Sequence, residues 1–202
     1  SFDNHARVFE FSDTASGLQG FIAIHNEDFL PTVGGTRMLQ YPSKEAALDD
    51  ALRLSRAMTY KCALVGLEHG GGKAVVIGDP ALHKSKGLLE AYARVINELH
   101  GLFFTGEDVG IAEEDVHFML QFCPYFIGKE GQAGDPSPFA ALSTFYALQT
   151  AVEKKFSTKN LRGVRVAVKG VGKVGGQLVA LLKKEGAIVT IADISEYAVQ
   201  KM

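Results

Sequence analysis

The sequence predicts an α/β protein in two parts: an N-terminal domain on a mixed sheet, then the start of a second domain with parallel strands. Three observations carry this. Apolar runs at strand spacing alternate with runs at helical spacing along the 202 residues. A Gly- and Pro-rich stretch from Gly128 to Pro138 interrupts the alternation and reads as a domain boundary, giving parts 1–134 and 135–202. Near the C-terminus a strand, a glycine turn, a helix and a second strand follow in direct succession.

Taken in order, Arg7 to Ser12 alternates around Val8, Phe9 and Phe11 and predicts a first strand. The cluster Asp13-Thr14-Ala15-Ser16-Gly17 is a turn. Leu18 to His25 and Gly34 to Tyr41 supply two further strands. Ser43 suits a helix N-cap, and Ala47, Ala51, Leu54 and Met58 keep helical spacing behind it, so a helix runs to about Lys61. A glycine turn, His69 to Lys73, leads into a buried strand, Ala74 to Ile77. Gly87 to His100 reads as an amphipathic helix, Leu102 to Thr105 as a strand, Ala112 to Phe122 as a helix and Tyr125 to Ile127 as a short strand. Past the boundary come a long helix, Ala140 to Phe156, a buried strand, Val164 to Lys169, a helix, Val174 to Glu185, and a second buried strand, Ile188 to Ala192.

With 47% hydrophobic and 22% charged residues the chain can bury a sizeable core. Its net charge of -2, with no basic block, argues against a nucleic-acid partner. No apolar run is long enough to span a membrane. Ser1-Phe2-Asp3-Asn4-His5 lacks the charged start and apolar stretch of a signal peptide, so a cytoplasmic location is expected. Cys62 and Cys123 are isolated; a disulfide is open to them, but two buried free thiols is the simpler reading. No metal site is predicted.

Gly170-Val171-Gly172-Lys173-Val174-Gly175 is a G-x-G-x-x-G turn. Glycine turns are common, and the pattern alone is weak. Here a strand precedes it, a helix follows, and Asp193 ends the next strand, which is the context of a Rossmann dinucleotide-binding unit. Gly170 permits the turn, Gly172 lets the backbone approach a pyrophosphate, and Gly175 lets helix and strand pack closely. Free amides at the helix start, around Lys173 and Val174, would hold the phosphates. Asp193 would accept hydrogen bonds from the adenosine ribose and repel a 2′-phosphate, which favours NAD over NADP. A strand–turn–helix with incidental glycines and a flavin-binding version of the turn are the competing readings.

Lys61 and Lys73 stand out among apolar or glycine neighbours, because lysine seldom sits there unless paired or working. The glycines before Lys73 predict an open approach for a small molecule. The segment is not a phosphate-binding Walker loop, since Leu67 and Ala74 stand where that loop needs Gly and Ser or Thr. Asp108 lies between glycines after a strand, a natural place for a catalytic carboxylate and equally for a helix cap. By residue type alone Lys73 reads equally well as a surface lysine and Lys61 as a solvated one, and nothing joins the three.

An ordered set of segments does join them. Gly34-Gly35-Thr36-Arg37-Met38, Ala46 to Ser55, Met58-Thr59-Tyr60-Lys61, Gly70-Gly71-Gly72-Lys73, Glu107-Asp108-Val109-Gly110, Pro136-Ser137-Pro138 and Gly170-Val171-Gly172 together resemble the glutamate/leucine/phenylalanine/valine dehydrogenase family, most closely its leucine-dehydrogenase branch. The resemblance implies an N-terminal substrate-binding and catalytic domain, 1–134, and an incomplete NAD-binding Rossmann domain, 135–202. It implies that Lys61 binds the substrate α-carboxylate beside the Gly34-Gly35 backbone, that Lys73 polarises the carbonyl or activates water, and that Asp108 moves protons to and from the substrate nitrogen. It also implies a homo-oligomer acting on a small-molecule amino acid. Water addition at neutral pH needs a lysine of lowered pKa, with burial and the Lys61 charge as causes.

Glutamate-specific relatives carry a lysine where Val33 stands. Val33 cannot compensate a buried side-chain carboxylate, so leucine, then valine and isoleucine, are the expected substrates, with aromatic amino acids and glutamate as alternatives. Three positions depart from the family pattern: Asp135 for Asn, Ala140 for Thr, and Ser143 for Gly. The sequence given stops at Met202, just after the second Rossmann strand, whereas such domains carry about five or six. A fragment is one reading; an inactive, truncated remnant serving as a ligand-binding or assembly module is the other.

Overall fold

A computed structural model of the chain describes residues 4–128 and 136–202. It divides into two compact units, Ser1–Gly134 and Asp135–Met202. The Gly- and Pro-rich boundary stretch and Asp135 lie largely or wholly outside the described residues.

In the first unit, turn chemistry and period-2 alternation build a five-stranded sheet. Its strands are β1 (Arg7–Asp13), β2 (Leu18–Ile24), β3 (Thr32–Leu39), β4 (Gly72–Ile77) and β5 (Phe103–Gly106). The spatial order is β1-β2-β4-β3-β5. β2 runs antiparallel to β1 and β4, while β3 runs parallel to β4 and β5. The sheet is therefore mixed. Helix α1 (Lys44–Leu64) joins β3 to β4, as parallel neighbours require a crossover. Its cap is the expected one, with Ser43 accepting from the Ala46 amide, and it extends one turn past Lys61.

Alternation sends side chains to opposite faces. Phe21, Ala23 and Val75 face α1, whose Ala47 and Ala51 are fully buried and let the helix sit close. Ile22, Ile24, Met38, Ala74, Val76 and Phe103 face the other layer. That layer is α3 (Lys86–Glu98) and α4 (Glu113–Met119), preceded by the short α2 (Pro80–His83), which the sequence reading did not anticipate. Phe103 and Ile96 are fully buried there, and each such side chain contributes about 1.5–3 kcal/mol. Tyr92 is buried in the same layer, and its hydroxyl is satisfied by Thr36 at 2.6 Å, itself bonded to Thr105 at 2.7 Å. The expected strand at Tyr125 to Ile127 is reduced to one bridge, Thr105 to Phe126. Both cysteines are buried and free.

The second unit holds α5 (Ser137–Phe156), β6 (Arg165–Lys169), α6 (Lys173–Lys184), β7 (Ile188–Ala192) and α7 (Glu196–Gln200). β6 and β7 pair in parallel. They are not buried strands, contrary to expectation. Val166, Val168, Val189 and Ile191 join the helices in the core, while Ala167, Lys169, Thr190 and Ala192 on the other face are exposed. Among the described residues, one face of this two-stranded sheet is covered.

The three glycines before Lys73 also need correction. All are buried, and each removes a clash inside the fold rather than opening a path to ligand. A side chain at Gly70 would strike the Asn26 carbonyl, one at Gly71 the α1 backbone at Ser55 and Thr59, and one at Gly72 the Phe103 ring at 2.6 Å. Gly71 also donates to the Thr59 hydroxyl at 3.0 Å. Gly71→Ala should therefore force α1 off β4 and lower stability by about 1–3 kcal/mol, the usual cost of overpacking. Urea unfolding of the variant beside the wild type measures this, and unchanged stability would show that α1 can shift freely.

Candidate active site

Lys73 is the second residue of β4, not part of the turn before it. Alternation places it on the same face as Val75, under the C-terminal half of α1. Its side chain is 7% exposed, and Nζ donates to Asp108 Oδ2 at 2.5 Å. Asp108 follows β5 in a turn that folds back onto β3. The Met38 amide bonds the Val109 carbonyl at 2.8 Å, and Ile111 bonds Asp108 at 3.0 Å. Gly110, at φ +81°, lies against the Met38 carbonyl where no side chain would fit. This backbone clamp holds Asp108 over Lys73.

A third charge meets the same oxygen. Arg37 on β3 donates from Nε to Asp108 Oδ2 at 3.1 Å and from Nη1 to Asp50 Oδ2 at 2.9 Å. Tyr41 donates to the same Asp50 oxygen at 2.7 Å. The sequence reading quoted Arg37 only as part of a motif and gave Asp50 no role. A guanidinium flanked by two carboxylates is invisible in a linear pattern when its partners lie on other elements.

The two glycines of β3 do different things. Gly34 lets β3 approach β4, because a side chain there would overlap the Gly72 carbonyl. Gly35 opens the site, because a Cβ there would lie 3.1 Å from Asp108 Cβ and 3.2 Å from Lys73 Nζ. Val33, two residues earlier, shares that face, is half-buried, and bonds the Gly70 carbonyl through its amide at 2.9 Å. Lys61 is exposed in the last turn of α1 and has no hydrogen bond or ion pair among the described residues.

Burial lowers the Lys73 pKa most strongly; Asp108 opposes it, and Arg37 and then Lys61 add to the lowering. The expected second charge is therefore chiefly the Arg37 guanidinium, with the Lys61 ammonium behind it. For Asp108, burial alone would raise the carboxyl, but Lys73 and Arg37 hold it below the ordinary range. The carboxylate consequently stabilises the fold above its ordinary pKa, and that contribution is lost as pH falls through its lowered folded value. The lysine acts oppositely: carrying a proton in the folded state is unfavourable below its ordinary pKa and ceases to matter above it.

In the second unit the predicted turn has the required form. Gly170 sits at φ +90°, and Gly175 brings α6 against the Gly170 carbonyl. Gly172 has open space where a side chain would be, and as the N-cap of α6 it brings no side chain to the helix start at Lys173 and Val174. These residues fit a pyrophosphate. Asp193 is not simply poised for a ribose. It accepts from the Val171 amide at 2.7 Å and the Ser195 amide at 2.9 Å, and these bonds lower its pKa. It ties the turn to the end of β7, leaving its remaining lone pairs for a ligand. Ala140 and Ser143 are exposed on α5.

The fold recurs in a crystal structure of L-tryptophan dehydrogenase from Nostoc punctiforme, with TM-score 0.68 and 38% identity, over 98% of this chain and 56% of that one. The profile described as Glu/Leu/Phe/Val dehydrogenase, dimerisation domain, matches residues 5–125. The chain belongs to the Glu/Leu/Phe/Val dehydrogenase family. It is 42% identical to leucine dehydrogenase of Bacillus subtilis (strain 168) over 99% of its length, and 42% identical to valine dehydrogenase of Streptomyces virginiae over 98%. In both cases it spans 56% of the relative, so it covers about half the length of the curated relatives it matches.

Among the described residues Asp108 is the influence that favours the Lys73 proton, and Asp108→Asn removes its charge. It should lower the Lys73 pKa further, readable as a downward shift in an NMR titration of the lysine Cε–Nζ group. An unmoved or raised midpoint would sever the coupling between the two side chains.

Proposed function

We propose that the full-length protein oxidatively deaminates an apolar L-amino acid with NAD, giving the 2-oxo acid and ammonia, and that aliphatic side chains, leucine foremost, are preferred. The observation that carries this is the buried Lys73 paired with the partly exposed Asp108 at the side-chain-free position of Gly35. Membership of a family whose curated relatives include leucine and valine dehydrogenases supports it.

The first unit serves substrate binding and catalysis, and the second begins the NAD-binding domain. Gly170, Gly172 and Gly175 shape the phosphate turn, the Lys173 and Val174 amides hold the pyrophosphate, and Asp193 takes the ribose and disfavours a 2′-phosphate. When bound, NAD supplies the acceptor for the hydride of the substrate α-carbon. The remaining steps belong to the chain. Lys61, exposed and unpaired among the described residues, binds the α-carboxylate beside the Gly34-Gly35 backbone. Asp108, held as an anion, takes a proton from the substrate ammonium and returns one to the departing nitrogen. Lys73, whose pKa is lowered, accepts the proton of the water that adds to the imine carbon; a base poised nearer neutrality does this best.

Val33 contributes to selection of the side chain. It offers no charge to a glutamate side chain, and burying that carboxylate unpaired would cost several kcal/mol. The protein is further proposed to act in the cytoplasm as a homo-oligomer, a reading supported by the dimerisation-domain match over residues 5–125.

NADH formation from leucine by the full-length protein tests the activity directly. Absence of turnover with every branched-chain and aromatic amino acid would end the proposal. Lys73→Ala should lower kcat by about 10²–10⁴-fold, the range of acid–base catalysis, while circular dichroism stays that of the wild type. Leucine should exceed glutamate in kcat/KM, and Val33→Lys should narrow the gap.

A further inference from the structure

We propose that Arg37 is a positioning residue of the site, a permanent counter-ion that keeps Asp108 ionised and oriented while Lys73 gains and loses its proton, and that Asp50 anchors it there. The proposal rests on the assignment of Lys73 and Asp108 as the acid–base pair, and deepens it.

The geometry makes the case. Lys73 and Arg37 both bind Oδ2 of Asp108, at 2.5 and 3.1 Å, and neither binds Oδ1. The two cations therefore fix the carboxylate's rotation, with the Val109 amide as a further donor to it. The guanidinium is planar, so engaging Asp108 through Nε and Asp50 through Nη1 sets its plane by two carboxylates on different elements. Tyr41 holds the same Asp50 oxygen at 2.7 Å and braces the far end. Arg37 is well shielded, its side chain 21% exposed, and the Asp108 side chain is 25% exposed.

The chemistry explains why two cations are needed. A lysine that works as an acid and base must spend part of the cycle neutral. At that moment a carboxylate held by lysine alone would lose its partner while still largely enclosed, and would take up a proton instead. Arginine does not titrate in this range, so it keeps its charge throughout. Among the described residues the charged groups acting on Asp108 are Lys73 from β4 and Arg37 from β3; Asp50 from α1 meets Arg37, with Tyr41 behind it, and Lys61 from α1 acts on Lys73. Among them Arg37 is the one cation in direct contact that does not titrate.

The test uses full-length protein with two readouts: a carboxyl NMR titration of Asp108, which needs no turnover, and the pH profile of kcat/KM. Arg37→Gln should raise the Asp108 titration midpoint by about one pH unit and shift the ascending limb of kcat/KM upward with it. Arg37→Lys should restore most of the midpoint but not the full rate, because an ammonium does not present the fork that spans two carboxylates. Asp50→Asn, which releases the far end of the guanidinium, should lower kcat/KM and keeps the proposal testable if Arg37→Gln does not fold. An Asp108 midpoint that stays at the wild-type value in Arg37→Gln, or a kcat/KM that is unchanged in Asp50→Asn, overturns the proposal. A midpoint that moves while the kcat/KM limb stays fixed supports the counter-ion role and counts against the acid–base assignment of the pair instead.

Discussion

The Lys73 ammonium and the Asp108 carboxylate occupy a place where neither would be stable charged alone. Losing one partner of such an enclosed pair typically costs about 3–5 kcal/mol, because the other is left uncompensated. Much of the first unit serves to keep them together. β4 must deliver Lys73 on the face under α1, and the turn after β5 must fold back onto β3 to bring Asp108 above it. The glycines of β3 and of the segment before β4 allow the close strand and helix spacings that make this reach short.

The pair also sets the electrostatics of its neighbourhood. Burial pushes the two groups in opposite directions, the lysine down and the carboxylate up; for the lysine burial prevails over Asp108, and for the carboxylate the cations prevail over burial. Arg37 lowers both, because a positive charge opposes a proton on either group. A guanidinium beside the pair therefore tunes an amine toward neutrality and keeps the carboxylate anionic at once. Asp50 and Tyr41 keep that guanidinium in register, so the site extends outward from β4 through β3 into α1.

The second unit works by backbone rather than charge pairs. Its glycine turn is shaped by a left-handed Gly170 and by the close approach of α6 at Gly175, and Asp193 fastens it to β7. A carboxylate at this place thus has a structural duty before it meets any ligand. Among the described residues α5 and α6 pack on one face of the two-stranded sheet, the face that Val166, Val168, Val189 and Ile191 share by alternation.

The sequence by itself determined the α/β class, most of the strands and helices, the Ser43 cap and the form of the glycine turn. Local periodicity, capping and turn chemistry act over a few residues and are legible in a line of letters. Ordered motifs also picked out Lys61, Lys73 and Asp108 as belonging together, although spacing alone left each as readily a surface residue. The tertiary structure decided the rest. Only packing showed that Gly70, Gly71 and Gly72 fill tight contacts instead of clearing a path to Lys73, and that β6 and β7 are covered on one side. Only through-space geometry showed Asp193 bonding the turn's own amides, and Arg37 linking two carboxylates from different elements. Charges interact through distance, and residues distant in the chain, such as Lys73 and Asp108, become neighbours only when the sheet sets its strand order.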